Sequence, residues 1–268
     1  MSKDDNIDHL LRSWDFDPFS LNVRKIKVDA GRELLQMRID MGVMQMEVCN
    51  RPDGARPEGF ATMLDLLKSK SLAAGPDAPL IEAVGLTDVE SADSDRFLIA
   101  EDDCLEIDRE FVQFYHRRIC WLHLHDYVNA VRDADHTLAL MDFCRAHSND
   151  EQWTVSHEQY RPFVLFHRTQ AAALAALETS DGAEASIQVI NDGLTRMRDI
   201  YVHYDVEEHF EEEELVKRLK EMREDMREKY SVGRTLEERL GDAVEAEQYE
   251  LAAQLRDELA KRAPGRRL

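Results

Sequence analysis

The chain has no Cys-x-x-Cys pair. Its four cysteines, Cys49, Cys104, Cys120 and Cys144, are scattered, which excludes a zinc ribbon or a thioredoxin-like centre. So few thiols in 268 residues point to a reducing compartment. Long apolar runs are missing too. The longest, Ala171 to Leu177, falls far short of the roughly 20 residues that span a bilayer. The first residues, "MSKDDNIDHLL", lack the basic start and apolar stretch of a secretory signal. A cytoplasmic soluble protein with no membrane contact is expected. Basic residues are outnumbered, 34 Lys and Arg against 55 Asp and Glu, for a net charge of -21. A chain of that sign repels phosphate backbones and anionic lipid, so direct nucleic-acid binding is not expected. No G-x-x-x-x-G-K-[ST] phosphate loop occurs. Ser156 and His157 are adjacent in sequence, which does not make a catalytic dyad. No catalytic residue, cofactor or resident metal is assigned.

What is present is a globular composition, 43% hydrophobic and 33% charged, that fits a packed core under a charged helical surface. The expected class is α+β, mainly α. "DNIDHLLRSW" predicts a short helix. Val23, Ile26 and Val28 then run into the turn signal Asp29-Ala30-Gly31. Leu35, Met37, Ile39 and Met41 alternate with Gln36, Arg38 and Asp40, and Met44, Met46 and Val48 alternate with Gln45 and Glu47, which is strand period. Arg51-Pro52-Asp53-Gly54 closes the run. The reading is a three-stranded antiparallel meander covered on one face by the helix "GFATMLDLLKSKS". Residues 1–72 form this small α/β region. Residues 73–100, rich in Ala, Gly, Pro, Asp and Ser, read as a linker or long loop.

Residues 101–230 read as a helical hairpin domain. Its first hairpin turns near His125-Asp126 and its second between Thr179 and Gly182, each with an early Ala in the returning helix, Ala130 and Ala185. "LHLHDYVNAVRDADHTLALM" resembles the tetratricopeptide pattern. The two alanines lie 55 apart, where that family repeats at about 34, so tetratricopeptide-like hairpins and an ordinary irregular α-domain both stand. Leu215, Leu219, Met222 and Met226 make a short coiled-coil-like seam, expected to pack on the neighbouring hairpin. Glu211 to Glu214 read as a solvated acidic helix start.

Residues 234–262 predict a second kind of hairpin. Thr235 and Glu238 have capping-box spacing. Leu236, Leu240, Ala243 and Val244 line one face, Glu247-Gln248 bend the chain, and Leu251, Leu255 and Leu259 recur every fourth residue beside Ala252 and Ala253. Ala252 and Ala253 are expected at the close helix contact, with Tyr249 plugging the open end. This stretch resembles the UVR motif, the helical hairpin shared by the excision-repair proteins UvrB and UvrC and some protease-associated regulators. The residues that carry it are Leu236, Leu240, Ala243, Tyr249, Glu250, Ala252, Ala253, Leu255, Arg256, Asp257 and Leu259. The resemblance implies a protein–protein contact module, with a protein partner or self-association and a setting in DNA repair or protein quality control. Arg256 and Asp257 would orient the partner. The basic tail "KRAPGRRL" makes at most a weak nucleic-acid contact.

Two clusters invite a chemical reading. His116, Cys120 and His123 share a helical stripe and are zinc-ligand types, but no fourth ligand appears and packing is the simpler account. Asp40, Glu47 and Asp53 sit around the sheet, and acids on strands hold magnesium in some phosphodiesterases and nucleases. That is the enzymatic alternative to a non-catalytic adaptor; plain alternation also explains Asp40 and Glu47. Met37, Met41, Met44 and Met46 read as an adaptable core.

Overall fold

A computed structural model describes residues 6–75, 97–179 and 182–262. They fall into two compact units, 1–171 and 172–268. The class is the expected one, a small antiparallel sheet followed by helices and closed by a helical hairpin. The first unit holds α1 (Asp8–Ser13), β1 (Asn22–Lys27), β2 (Glu33–Ile39), β3 (Gly42–Glu47), α2 (Met63–Ala74), α3 (Glu101–His123), α4 (Tyr127–His147), α5 (Glu151–Glu158) and the start of α6 (Arg161–Leu177). The second holds α7 (Gly182–His203), α8 (Glu214–Tyr230), α9 (Leu236–Glu245) and α10 (Tyr249–Arg262). Of the expected linker, residues 76–96 lie outside the described residues.

The sheet has strand order β1-β2-β3 and is antiparallel throughout. Its register pairs Val23 with Met37 and Leu35 with Met46. A two-residue turn, Asp40-Met41, joins β2 to β3, and Arg38 holds it by donating to the carbonyls of Ile39, Asp40 and Gly42. Met41 stands at the turn tip, 89% exposed, so it is not a core methionine. Met37 and Met46 are buried and Met44 is half-buried.

Alternation predicted one solvent face, but Gln36 and Arg38 are buried. The chain leading into the sheet covers them. Trp14 lies over the Arg24 guanidinium at 4.2 Å and Phe16 over that of Arg38 at 5.5 Å. Arg24 donates to Gln36 Oε1 at 2.7 and 2.9 Å, and Gln36 donates to Gln45 at 2.9 Å, which links the three strands through their polar side chains.

The expected cover helix does not pack on the sheet. Met63, Leu64, Leu66 and Leu67 of α2 cluster instead with Ile107 and Phe111 of α3 and Ala134, Leu140 and Met141 of α4. The start of α2 is pinned there. Thr62 accepts the Asp65 amide at 3.1 Å, and the buried Glu110 carboxylate of α3 accepts the Met63 and Leu64 amides at 2.7 and 3.3 Å. A negative charge at those free amides suits the helix start. The sheet's apolar face, with Leu35, Met37 and Met46, packs on Cys120 and Trp121 of α3 and Ala130 of α4.

The α3–α4 hairpin turns where predicted, with His125 in the left-handed conformation (φ 59) and Asp126 capping α4. Helix α5 was not anticipated; Asp150 caps it by accepting the Trp153 amide at 2.9 Å. In the second unit, Ser186, one residue beyond the expected Ala185, is the buried contact residue and donates to the Ala173 carbonyl at 2.7 Å. Helix α8 packs on α7 as expected. Val216, Leu219 and Met226 are its buried residues, while Leu215 and Met222 are half-buried. The acidic run stands at the start of α8 as expected, with Glu213 as its N-cap and Glu214 as its first residue. The run's earlier residues belong to a 3-10 segment, Glu207–Glu212, which buries Phe210 beneath Arg198 at 4.7 Å.

Candidate functional site: the C-terminal hairpin

Helix α9 starts with a complete capping box. Thr235 Oγ1 accepts the Glu238 amide at 3.3 Å, and Glu238 accepts the Thr235 amide at 2.8 Å. The bend is sharp. Glu247 takes the left-handed conformation (φ 55), and the Gln248 amide donates back to the Ala243 carbonyl at 2.7 Å. That bond closes α9 and lets α10 return along it.

The hairpin has its own small core of Leu236, Ala243, Ala252 and Leu255, with Leu240 and Leu259 half-buried beside it. Ala243 and Ala252 lack bulk, so the helices approach closely. Six of the eleven predicted motif residues are therefore used inside the hairpin. The other five, Tyr249, Glu250, Ala253, Arg256 and Asp257, are exposed.

Three sequence expectations change here. Tyr249 does not plug the hairpin; it is 70% exposed. Ala253 sits outside the helix contact, because one step of about 100° past Ala252 turns it away from α9. Leu251 and Val244 are exposed rather than lining the core. Helical phase sets Val244 of α9 on the same side of the hairpin as Tyr249, Ala253 and Arg256 of α10. The result is a strip of one ring, one aliphatic group and one methyl, flanked by the exposed ion pair of Arg256 and Asp257 at 3.7 Å.

The hairpin is joined to the α7–α8 pair by charge. Glu238 accepts from Asn191 of α7 at 3.1 Å, is bonded by Arg227 and lies 3.7 Å from Arg223, both of α8. Glu237 takes a bond from Gln188 of α7. Burial pushes the Glu238 carboxyl up, but the Thr235 amide, Arg227 and Asn191 outweigh it and hold the group below its ordinary value. The capping-box spacing marked Glu238 in the sequence. Its second role had no sequence signal, since Asn191, Arg223 and Arg227 are remote.

The chemical alternatives are not assembled. Asp40 lies at the β2–β3 turn and Glu47 at the far end of β3, a separation of roughly 17 Å at strand rise. Asp53 is held by Gln113 at 2.8 Å and Arg51 at 3.2 Å. Cys120 is buried in the sheet–helix core, and burial pushes its thiol up to about 12. His116 bonds its own helix at Val112, and His123 is exposed. Ser156 donates to the Trp153 carbonyl at 2.6 Å, away from His157. Among the described residues, no group of three His, Cys, Asp or Glu side chains converges as a metal site. No described helix is long and apolar enough to cross a membrane.

No curated protein and no solved structure matches the chain. One family model does, and its span coincides with the hairpin: residues 234–261 match UVR, the UvrB/uvrC motif.

Proposed function

We propose that the protein is a non-catalytic adaptor that binds another protein through the Tyr249 side of its C-terminal hairpin. One observation carries this reading. Of the five motif residues not consumed by the hairpin's own core, Tyr249, Ala253 and Arg256 share one flank by helical phase, with Asp257 and Glu250 exposed beside them. A motif maintained only for folding would need its core positions alone. The partner that suits a ring beside small side chains is another helical hairpin, with Arg256 and Asp257 pairing at its edge. A setting in DNA repair or protein quality control follows from the motif's family, with contact made to proteins; a net charge of -21 opposes direct DNA binding.

Size-exclusion chromatography with light scattering, together with pull-down by the full chain, tests this. Tyr249→Glu and Ala253→Glu are expected to remove captured partner or self-association and leave the helical content unchanged. Leu255→Ala is expected to melt the hairpin, at a cost of about 2–5 kcal/mol. Mass and capture unchanged by both surface variants would reject the adaptor reading.

A further inference from the structure

Helices α3, α4, α5 and α6 line a half-open cavity of about 660 Å³. That size lies within the roughly 300–1,000 Å³ usual for small-ligand pockets. Its wall is mostly aromatic and aliphatic, including Phe111, Tyr115, Met141 and Phe163. One cationic group breaks that surface deep in the wall. Arg118 of α3 lines the cavity and is only 1% exposed.

Arg118 has no carboxylate partner among the described residues. It donates to the Thr137 hydroxyl at 3.0 Å and to His167 Nδ1 at 3.4 Å, and its Nη2 makes no hydrogen bond among the described residues. Burial, and then the nearby Arg118 charge, pull His167 down to about 4, so its ring is neutral and accepts. Burial also lowers Arg118, to about 10, which leaves it charged at neutral pH. The nearest acid, Asp133, is already bonded by Arg117 at 2.6 Å and Arg132 at 3.0 Å. Two arginines thus occupy that carboxylate and leave Arg118 without a bond to it, in a chain with 21 more acidic than basic residues. The Tyr115 ring, 5.9 Å from the guanidinium, and the more distant Asp133 charge offset only part of the cost of a buried cation without a bonded carboxylate. An anion entering the cavity would offset more.

The other end of the cavity has opposite polarity. Asp108 lies ten residues earlier on α3, roughly 15 Å along the helix axis. Its carboxylate accepts from Trp153 Nε1 and contacts His157 Nε2, both at 2.9 Å. Burial lowers His157 against the pull of Asp108. The hydroxyls of Tyr115, Tyr160 and Ser156 complete the polar lining. None of these neutralises Arg118.

We propose that this cavity binds a small aromatic carboxylate, its anionic group against Arg118 and its rings among Phe111, Tyr115, Met141 and Phe163. The inference is independent of the hairpin's role.

Isothermal titration of the full chain with 2-naphthoate, and with 2-naphthamide as its neutral counterpart, tests it. The acid is expected to bind at one site at least tenfold tighter than the amide. Arg118→Gln should erase that preference and leave the amide's affinity within twofold. Val112→Trp, at a rim position that is 55% exposed, should weaken both compounds at least tenfold. Should Arg118→Gln fail to fold, the acid-to-amide ratio of the unaltered protein and the Val112→Trp result decide. No saturable binding of the acid, equal binding of acid and amide, or binding indifferent to Val112→Trp would overturn the proposal.

Discussion

Arg117 and Asp133 meet side on between α3 and α4, with Nε to Oδ2 at 2.6 Å and Nη2 to Oδ1 at 2.8 Å, and neither side chain reaches solvent. The pair is fully employed. Arg117 Nη1 also donates to the carbonyls of Glu47 and Asn50 at 3.0 and 2.7 Å, and Trp121 Nε1 donates to Asp133 at 3.1 Å. One ion pair therefore fastens two helices to the end of β3.

Removing one member leaves the other charged and buried. Asp133→Ala is expected to destabilise the protein by about 3–5 kcal/mol. Urea denaturation followed by tryptophan fluorescence measures it, Trp121 being a direct neighbour of the lost carboxylate. A loss below 1 kcal/mol would contradict a linchpin role.

The hairpin joint is expected to weaken in acid. Glu238 titrates below its ordinary value of 4.5 in the fold. Its ionised form is therefore favoured by folding. That stabilisation is present above about pH 4.5 and is lost as pH falls through the lower folded value. Glu238→Gln should flatten this acid dependence, read from hydrogen exchange of the α9 amides between pH 3 and 6. An unchanged acid limb in the variant would assign the dependence to other groups.

The thiols should react in a fixed order. Cys49 is exposed, whereas Cys120 and Cys144 are buried, and burial pushes both up to about 12. Burial and nearby acids raise Cys104 as well. With an aromatic disulfide reagent at pH 8, Cys49 is expected to react first and Cys104 more slowly, with Cys120 and Cys144 silent until denaturant is added. Four equivalent rates in the native protein would rule out the packing described for α3 and α4.

The features legible in the sequence were those set by local chemistry. Asp29-Ala30-Gly31, Arg51-Pro52-Asp53-Gly54 and the Thr235–Glu238 box each act within a few residues, whereas strand period runs on through the turn at Asp40-Met41 and hides it. Periodicity also identified the apolar faces. It does not say which apolar face meets which. Helix α2 went to α3 and α4 instead of the sheet because Glu110, forty-seven positions after Met63, receives its first amides. Gln36 and Arg38 looked solvent-facing because alternation does not show that the chain before β1 folds back, setting Phe16 against Arg38 and Trp14 against Arg24, the partner of Gln36. In the hairpin, Ala252 and Ala253 are chemically identical, and only helical phase separates the contact residue from the exposed one. The Arg118 cavity had no sequence signal, since its wall is drawn from four helices.

The hairpin's separate apolar core and charged attachment carry a consequence for its inheritance. Nothing in the Leu236–Leu255 cluster is borrowed from α7 or α8, so transplantation would not tear a shared interior. The host need only offer a helix surface with an arginine or an amide placed to meet Glu238. Such a unit travels easily between unrelated proteins, and its new host decides what is brought to the meeting.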